Sequence, residues 1–185
     1  DNPQRGRRRE FTQFDFDTVG SLDYQEDANV IITAIEGTRA LGLDEAYIQI
    51  NDRQMFNKLG ITQDQIRTID KIDKIGEEEV TKIVSKEVIE KLSKEPKTER
   101  LSNIFKELEK VGLKENVDFA FNPYLARGLD YYTSTVYELK LNKTEKLTIG
   151  GGGRYDNLIG MFAGRDIPAV GFSFGIDRII DLLPA

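Results

Sequence analysis

The 185 residues suffice for one sizeable core, or a core with a small appendage. The chain is 39% hydrophobic and 31% charged, carries a formal net charge of -6, and contains neither histidine nor cysteine. Ser-His-Asp and Cys-His nucleophiles, disulfides and zinc sites built on those ligands are therefore excluded, and the chain as a whole is not a basic nucleic-acid binder.

What remains is chemistry run by carboxylates, arginines, oriented backbone and added metal ions. No apolar run approaches the ~20 residues that cross a bilayer, and no signal-peptide pattern is seen, so a cytoplasmic location is expected. The chain opens at Asp1 inside a charged motif and stops at Ala185 just after a helix signal, which predicts a fragment of a longer protein.

In chain order, residues 5–9 read Arg-Gly-Arg-Arg-Arg. They suit either a solvated basic turn or a mobile loop that clamps a polyphosphate. From Phe11 to Thr18 strand alternation puts Phe14 and Phe16 toward a core, with Phe11, Gln13, Asp15 and Asp17 on the other face. A ring, an amide and two carboxylates in a row suit a small polar ligand; a plain solvated face is the alternative. Ala28, Ile31, Ala34, Ile35, Thr38 and Leu41 recur at helical spacing, and Gly42 supplies a stop. Tyr47–Asn51 alternates as a strand, and Met55–Leu59 is a short helix ended by Gly60.

From Thr62 to Glu115 the character becomes helical, charged outside and thinly apolar inside. Thr62 and Gln65 form a capping-box pattern, Pro96 is a break, and Thr98–Val111 is an amphipathic helix with Gly112 beyond it. No site is expected there. Val117, Phe119 and Phe121 then alternate up to Asn122-Pro123. The organising stretch follows, Leu125–Glu138, LARGLDYYTSTVYE. A permanently charged Arg127 at the mouth of a strand can grip a carboxylate or phosphate at two points, next to a flexible Gly128. Tyr131 and Tyr132 offer a flat apolar wall with a polar tip. The strand Tyr131–Leu141 turns at Asn142-Lys143 and returns at Lys146–Ile149, so the pairing is expected to be antiparallel.

Gly150-Gly151-Gly152-Gly153-Arg154-Tyr155-Asp156 is expected to be a loop whose bare backbone lets a ligand lie directly on it, with Asp156 capping a short helix through Phe162. It is neither a Walker A loop nor a dinucleotide fingerprint; a tight turn or bulge is the alternative. Val170–Phe174 is a strand and Ile176–Leu183 a helix. Arg178, in the first turn, is a cation at the positive end of a helix, which a bound anion or aromatic ring would offset.

Together these stretches resemble the catalytic core of the histidyl-tRNA synthetase family of class II aminoacyl-tRNA synthetases. Asp1–Gly20 resembles the second half of motif 2, and Gly171–Ile179, GFSFGIDRI, resembles motif 3. Leu125–Glu138 and Gly150–Asp156 resemble the two motifs particular to the histidine enzyme, and the helical stretch resembles that family's insertion. The resemblance implies an α+β fold, an antiparallel β-sheet flanked by helices, with a helical insertion at 62–115 between core segments 1–61 and 116–185. It implies histidine, ATP with magnesium (Mg2+), and tRNA(His) as substrates and partners, a ligase activity, and a homodimeric parent protein. Phe11 and Arg178 would sandwich the adenine, and Arg7 would hold the terminal phosphates. Gln13 would touch the α-amino group, and Asp17 and Tyr132 the two imidazole nitrogens. Arg127 would lie between the carboxylate and the α-phosphate, with Tyr155, Gly151, Gly152 and Gly153 lining the pocket; no residue is expected to ligate a metal.

The chemistry agrees with the implied activity. The attacking group in amino-acid activation is the substrate's own carboxylate, ionised at pH 7, so no protein base is needed. Aligning two anions and stabilising charge at phosphorus is work for fixed arginines and Mg2+. Motif 1, the principal motif 2 arginine and an anticodon-binding domain fall outside the chain, so the 185 residues alone are expected to be weak or inactive. Two other readings stay open: a histidine-sensing regulatory subunit of ATP phosphoribosyltransferase, and a synthetase-like tRNA-sensing binding domain.

Overall fold

A computed structural model describes residues 10–128, 130–144 and 147–183. The first described element is β1 (Gln13–Val19), an edge strand among the described residues; the chain then enters helix α1 (Tyr24–Ala40) through Asp23, whose carboxylate accepts from the Gln25 N–H at 3.0 Å. Gly42, at φ +82°, lets the chain reverse after that helix and return as β2 (Tyr47–Asp52). Short helices follow: α2 (Gln54–Lys58), α3 (Gln63–Ile69), α4 (Ile72–Ile75), α5 (Glu77–Thr81) and α6 (Lys86–Lys94). The expected capping box is formed in full at α3, between Thr62 and Gln65. Helix α7 (Glu99–Lys110) is capped by Thr98 and ends before Gly112 at φ +90°.

The sheet resumes with β3 (Phe119–Phe121), β4 (Thr135–Lys140) and β5 (Thr148–Arg154). A single turn, α8 (Gly160–Ala163), leads to β6 (Ala169–Gly175) and α9 (Ile176–Ile180). Among the described residues the strands form one six-stranded sheet in the order β1-β6-β5-β4-β2-β3. Every pairing is antiparallel except β2 with β3, so the sheet is mixed at one edge. The reason is connectivity: β3 returns beside β2 only after the long helical excursion, and a crossover of that length permits parallel pairing.

The core lies between one face of the sheet and helices α1 and α7. Ile31 and Ile35 of α1, Leu101 and Ile104 of α7, and Ile48, Ile50 and Phe119 of the sheet are all fully buried in it. Ile66, Ile69, Val80 and Leu92 belong to the same cluster, so the helices after Thr62 share the apolar interior with the sheet. Phe105 meets Phe119 edge-on at 4.9 Å between ring centres.

Five local expectations change. The glycines form no loop: Gly150–Gly153 are the middle of β5, flanked by β4 and β6 on both sides. The ladder hydrogen bonds of two neighbours hold a run that would otherwise be too flexible to stay extended. The strand expected from Tyr131 starts only at Thr135, which frees both tyrosines to sit above the sheet. Phe14 is 58% exposed: β1 is the edge strand among the described residues, and Phe16 rather than Phe14 packs against the core. Asp156 caps no helix; it accepts from Arg154 at 3.0 Å and from the Thr133 hydroxyl at 3.0 Å. α9 is also shorter than expected, ending at Ile180.

Candidate active site

The sheet face turned away from α1 carries the polar groups. Register places Gln13, Asp15 and Asp17 of β1 opposite Gly175, Ser173 and Gly171 of β6. Ser173 and Gly171 in turn pair with Gly151 and Gly153 of β5, which pair with Glu138 and Val136 of β4. Side chains on paired residues share a face, so this is one continuous surface, floored by glycines at its centre.

The glycines are needed because functional side chains lie flat on the strands. A Cβ on Gly151 would fall on the Arg127 guanidinium and reach the Tyr137 carbonyl oxygen at 2.8 Å. A Cβ on Gly153 would meet the Tyr132 ring at 2.8 Å, and one on Gly171 would overlap the Asp17 carboxylate. Gly152 points the other way, by strand alternation, where a Cβ would come within 2.8 Å of the Phe172 backbone. Gly151 and Gly153 therefore line the candidate site, whereas Gly152 serves the packing of β5 on β6.

Asp17, Tyr155, Tyr131 and Tyr132 form the polar and aromatic wall. The Tyr155 hydroxyl donates to Asp17 Oδ1. Tyr131 lies 4.6 Å from Tyr132 and meets Tyr155 edge-on at 5.9 Å, centre to centre. Tyr132 is buried against Leu125, Val136 and Tyr155. Burial pushes the Tyr132 phenol well above its ordinary value, against the opposing pull of Arg127. Burial, then the hydrogen bond to Asp17, does the same for Tyr155. Both phenols are thus neutral hydrogen-bonding groups at pH 7 beside an acceptor carboxylate. Gln13 Nε2 donates to Ser173 Oγ at 2.5 Å, which orients the amide on the same face.

Arg127 enters from the loop before β4. Its own backbone is left-handed, at φ +53°, and the neighbouring Gly128 does not take that role. That conformation costs a non-glycine residue about 1–2 kcal/mol, so it persists where surrounding groups hold it. Asp70 Oδ1 accepts from the N–H groups of Ala126 at 3.2 Å and Arg127 at 2.9 Å. Buried Arg53 donates through Nη1 to the carbonyls of Ala126 at 3.0 Å and Arg127 at 3.2 Å. Asn51 Nδ2 holds the preceding turn through the Pro123 and Leu125 carbonyls.

Phe11 and Arg178 are brought to the same end of the sheet. The Thr12 N–H donates to Asp177 Oδ2 at 2.7 Å and the Ile176 N–H to the Thr12 carbonyl at 3.0 Å, which seats residue 11 beside the start of α9. Phe11 is 61% exposed. Arg178 Nη1 donates to the Thr148 carbonyl at 2.5 Å; because α9 is only five residues long, Arg178 lies in its last turn, and the misplaced cation expected from the sequence does not arise. Arg7 lies outside the described residues.

A buried charge network beneath the site was not anticipated. Asp27 of α1 is fully buried and receives Arg154 Nη2 at 2.6 Å, Arg100 Nη2 at 2.6 Å, and the hydroxyls of Thr135 and Tyr137. Burial alone would raise the Asp27 carboxyl, but the Arg154 hydrogen bond and the two guanidinium charges win and hold it below its ordinary value. Arg154 also grips the carbonyls of Ser21 and Asp23, so it ties the last residue of the glycine strand to the entry of α1 and fixes Tyr155 next door. The signal was in the sequence: Asp27 sits on the apolar stripe of its helix, four residues before Ile31 and seven before Ala34.

A model of the histidyl-tRNA synthetase family matches residues 52–179. Histidine–tRNA ligase of Nanoarchaeum equitans is 39% identical over 98% of the chain and 47% of its own length. That of Aeropyrum pernix is 36% identical over 98% of the chain and 49% of its own length. A crystal structure of histidyl-tRNA synthetase from Nostoc sp. PCC 7120 superposes with a TM-score of 0.80 at 28% identity, covering 94% of the chain and 50% of that protein. A Bacillus halodurans structure described as ATP phosphoribosyltransferase regulatory subunit/histidyl-tRNA synthetase shares the fold, with a TM-score of 0.75 at 22% identity over 95% of the chain and 54% of its own. The chain spans about half the length of the curated relatives it matches.

Proposed function

Because the chain belongs to the histidyl-tRNA synthetase family, we propose that its site activates histidine with ATP and that the full-length protein transfers the product to tRNA(His). The reaction joins a histidine carboxylate oxygen to the α-phosphorus, breaks the α–β phosphate bond and releases pyrophosphate, leaving histidyl-adenylate. One observation carries the reading: a held cation, a carboxylate and neutral phenols meet over a strand floored by glycine.

Each group has a task in this reading. Asp17 accepts from one imidazole nitrogen while Tyr155 holds its carboxylate in place, and Tyr132 pairs with the other nitrogen. Two polar groups of this kind, the buried Tyr132 phenol and the Asp17 carboxylate, reject side chains that cannot pair with them, by leaving the site's own groups unsatisfied. Gln13 receives the α-amino group. Arg127 bridges the carboxylate and the α-phosphate, where it screens two anions from each other and stabilises charge building at phosphorus. Phe11 and Arg178 take the two faces of the adenine, and Arg7 takes the terminal phosphates. Mg2+ would come with the phosphates of ATP and neutralise their charge. A homodimeric parent protein rests on the family resemblance, and a cytoplasmic location on the sequence expectation alone. Among the described residues no helix is long and apolar enough to cross a membrane.

The test is amino-acid-dependent exchange of pyrophosphate into ATP by the full-length protein across a panel of amino acids. Exchange with histidine alone is expected. Histidine binding without exchange would favour the regulatory, histidine-sensing reading, and exchange with another amino acid would remove Asp17 and Tyr132 from the imidazole.

A further inference from the structure

We propose that Asp70 is a positioning residue for Arg127, acting from a face of α3 devoted to the loop that carries this arginine. The inference rests on the activation reaction above, because it concerns the cation that reading uses. Three residues of or adjoining α3, at positions 63, 67 and 70, fall on one side of a helix by their spacing of four and seven. All three reach the same loop or its holder. Gln63 Oε1 accepts from Arg53 Nη2 at 3.1 Å, and Arg67 Nη2 donates to Asp130 at 2.6 Å. Asp70 Oδ1 takes the N–H groups of both Ala126 and Arg127.

Of the three, Asp70 acts most directly. The Arg67–Asp130 pair is more than half exposed on both sides, and such pairs contribute little. Gln63 acts only through Arg53. Asp70 instead satisfies two consecutive backbone donors, one belonging to a residue at φ +53°. Two consecutive N–H groups aimed at one carboxylate oxygen fix the peptide between Ala126 and Arg127, while Arg53 takes the carbonyls of the same two residues. The peptide is thus clamped from its donor and acceptor sides, and the guanidinium that projects from it is laid over Gly151. Without Asp70 only the Arg53 contacts to the two carbonyls are left to hold the Arg127 backbone in a conformation that side-chain-bearing residues rarely adopt, its donor side is released, and the cation leaves its line with the reacting anions. The helical stretch after Thr62 therefore contributes to the placement of a catalytic group while staying out of the pocket.

The experiment uses the full-length protein with Asp70→Ala, Asp70→Asn, Arg127→Ala and the Asp70→Ala/Arg127→Ala double variant. Hydrogen exchange of the amides of 126 and 127 is read first, since it needs no substrate. Asp70→Ala should speed it roughly tenfold or more, while Asp70→Asn, whose side-chain oxygen still accepts, should stay close to the parent. In histidine-dependent pyrophosphate exchange, Asp70→Ala should lower kcat roughly tenfold or more with about the parent KM for ATP and histidine. Added to Arg127→Ala, it should cost less than about a further twofold, because a residue acting through Arg127 has nothing left to place. Unchanged amide exchange in Asp70→Ala, or a full multiplicative loss in the double variant, would overturn the proposal. A parent protein without histidine-dependent exchange would instead refute the activation reading, and the amide measurement would still decide whether Asp70 holds the loop.

Discussion

Gly151 shows how little room the site leaves. Its missing side chain is where the Arg127 guanidinium lies, so Gly151→Ala should push the arginine off the sheet. Overpacking of this kind costs about 1–3 kcal/mol of stability, and a shifted cation should lower histidine activation roughly a hundredfold. Gly128→Ala is the contrast: an added Cβ there meets nothing within 4 Å, and melting should move by less than about 0.5 kcal/mol. Equal losses in the two variants, read by thermal melting and pyrophosphate exchange, would contradict the placement of Arg127 on Gly151. Tyr155→Phe removes a single hydrogen bond to Asp17, worth about 1 kcal/mol, so the KM for histidine should rise roughly fivefold with kcat nearly intact. A large fall in kcat at constant KM would assign Tyr155 to the chemistry itself.

At the scale of elements, the Asp27–Arg154 pair joins α1 to the end of the glycine strand. Asp27→Asn removes the fully buried charge partner of Arg154 and leaves that guanidinium only the more accessible Asp156; breaking a buried pair costs about 3–5 kcal/mol, so a loss toward the lower end of that range is expected in denaturant unfolding. The loss should depend on pH. The folded fold holds Asp27 below its ordinary value, so its contribution is complete above the unfolded carboxylate range, near about pH 4, and vanishes as pH falls through the folded value. The stability gap between parent and Asp27→Asn should thus be full at neutral pH and close in strong acid; a gap independent of pH would argue against an ionised Asp27. Much at this scale was legible beforehand. The helix of Ile31 and Ile35, the capping box at Thr62 and the amphipathic helix after Thr98 follow from periodicity and capping, which are local. The glycine run misled because glycine alone predicts freedom, whereas two flanking strands remove it. The Asp70 clamp was illegible because it joins residues 56 and 57 positions apart, a separation on which no periodicity reports.

At the scale of the molecule, the polar face collects residues from both ends of the chain. Asp17 touches Tyr155, 138 positions away, and Thr12 touches Asp177, 165 positions away. Sequence reading grouped Gln13, Asp17, Arg127, Tyr132, Tyr155 and Arg178 by their resemblance to family motifs, and the fold brings the described members to one side of one sheet. It could not supply the parallel β3 edge, which depends on long-range pairing, or the opposite facing of Gly152, which follows only once the glycines are known to lie in a strand. The site's central demand is a fixed cation between two anions, and the most direct test compares the full-length protein with its Arg127→Ala variant in histidine-dependent pyrophosphate exchange, with both shown to be folded. Robust exchange by the parent is expected, with a loss of roughly a hundred- to a thousandfold in the variant, the scale of a removed transition-state contact. A folded parent that exchanges nothing, or a variant that turns over at the parent rate, would contradict it.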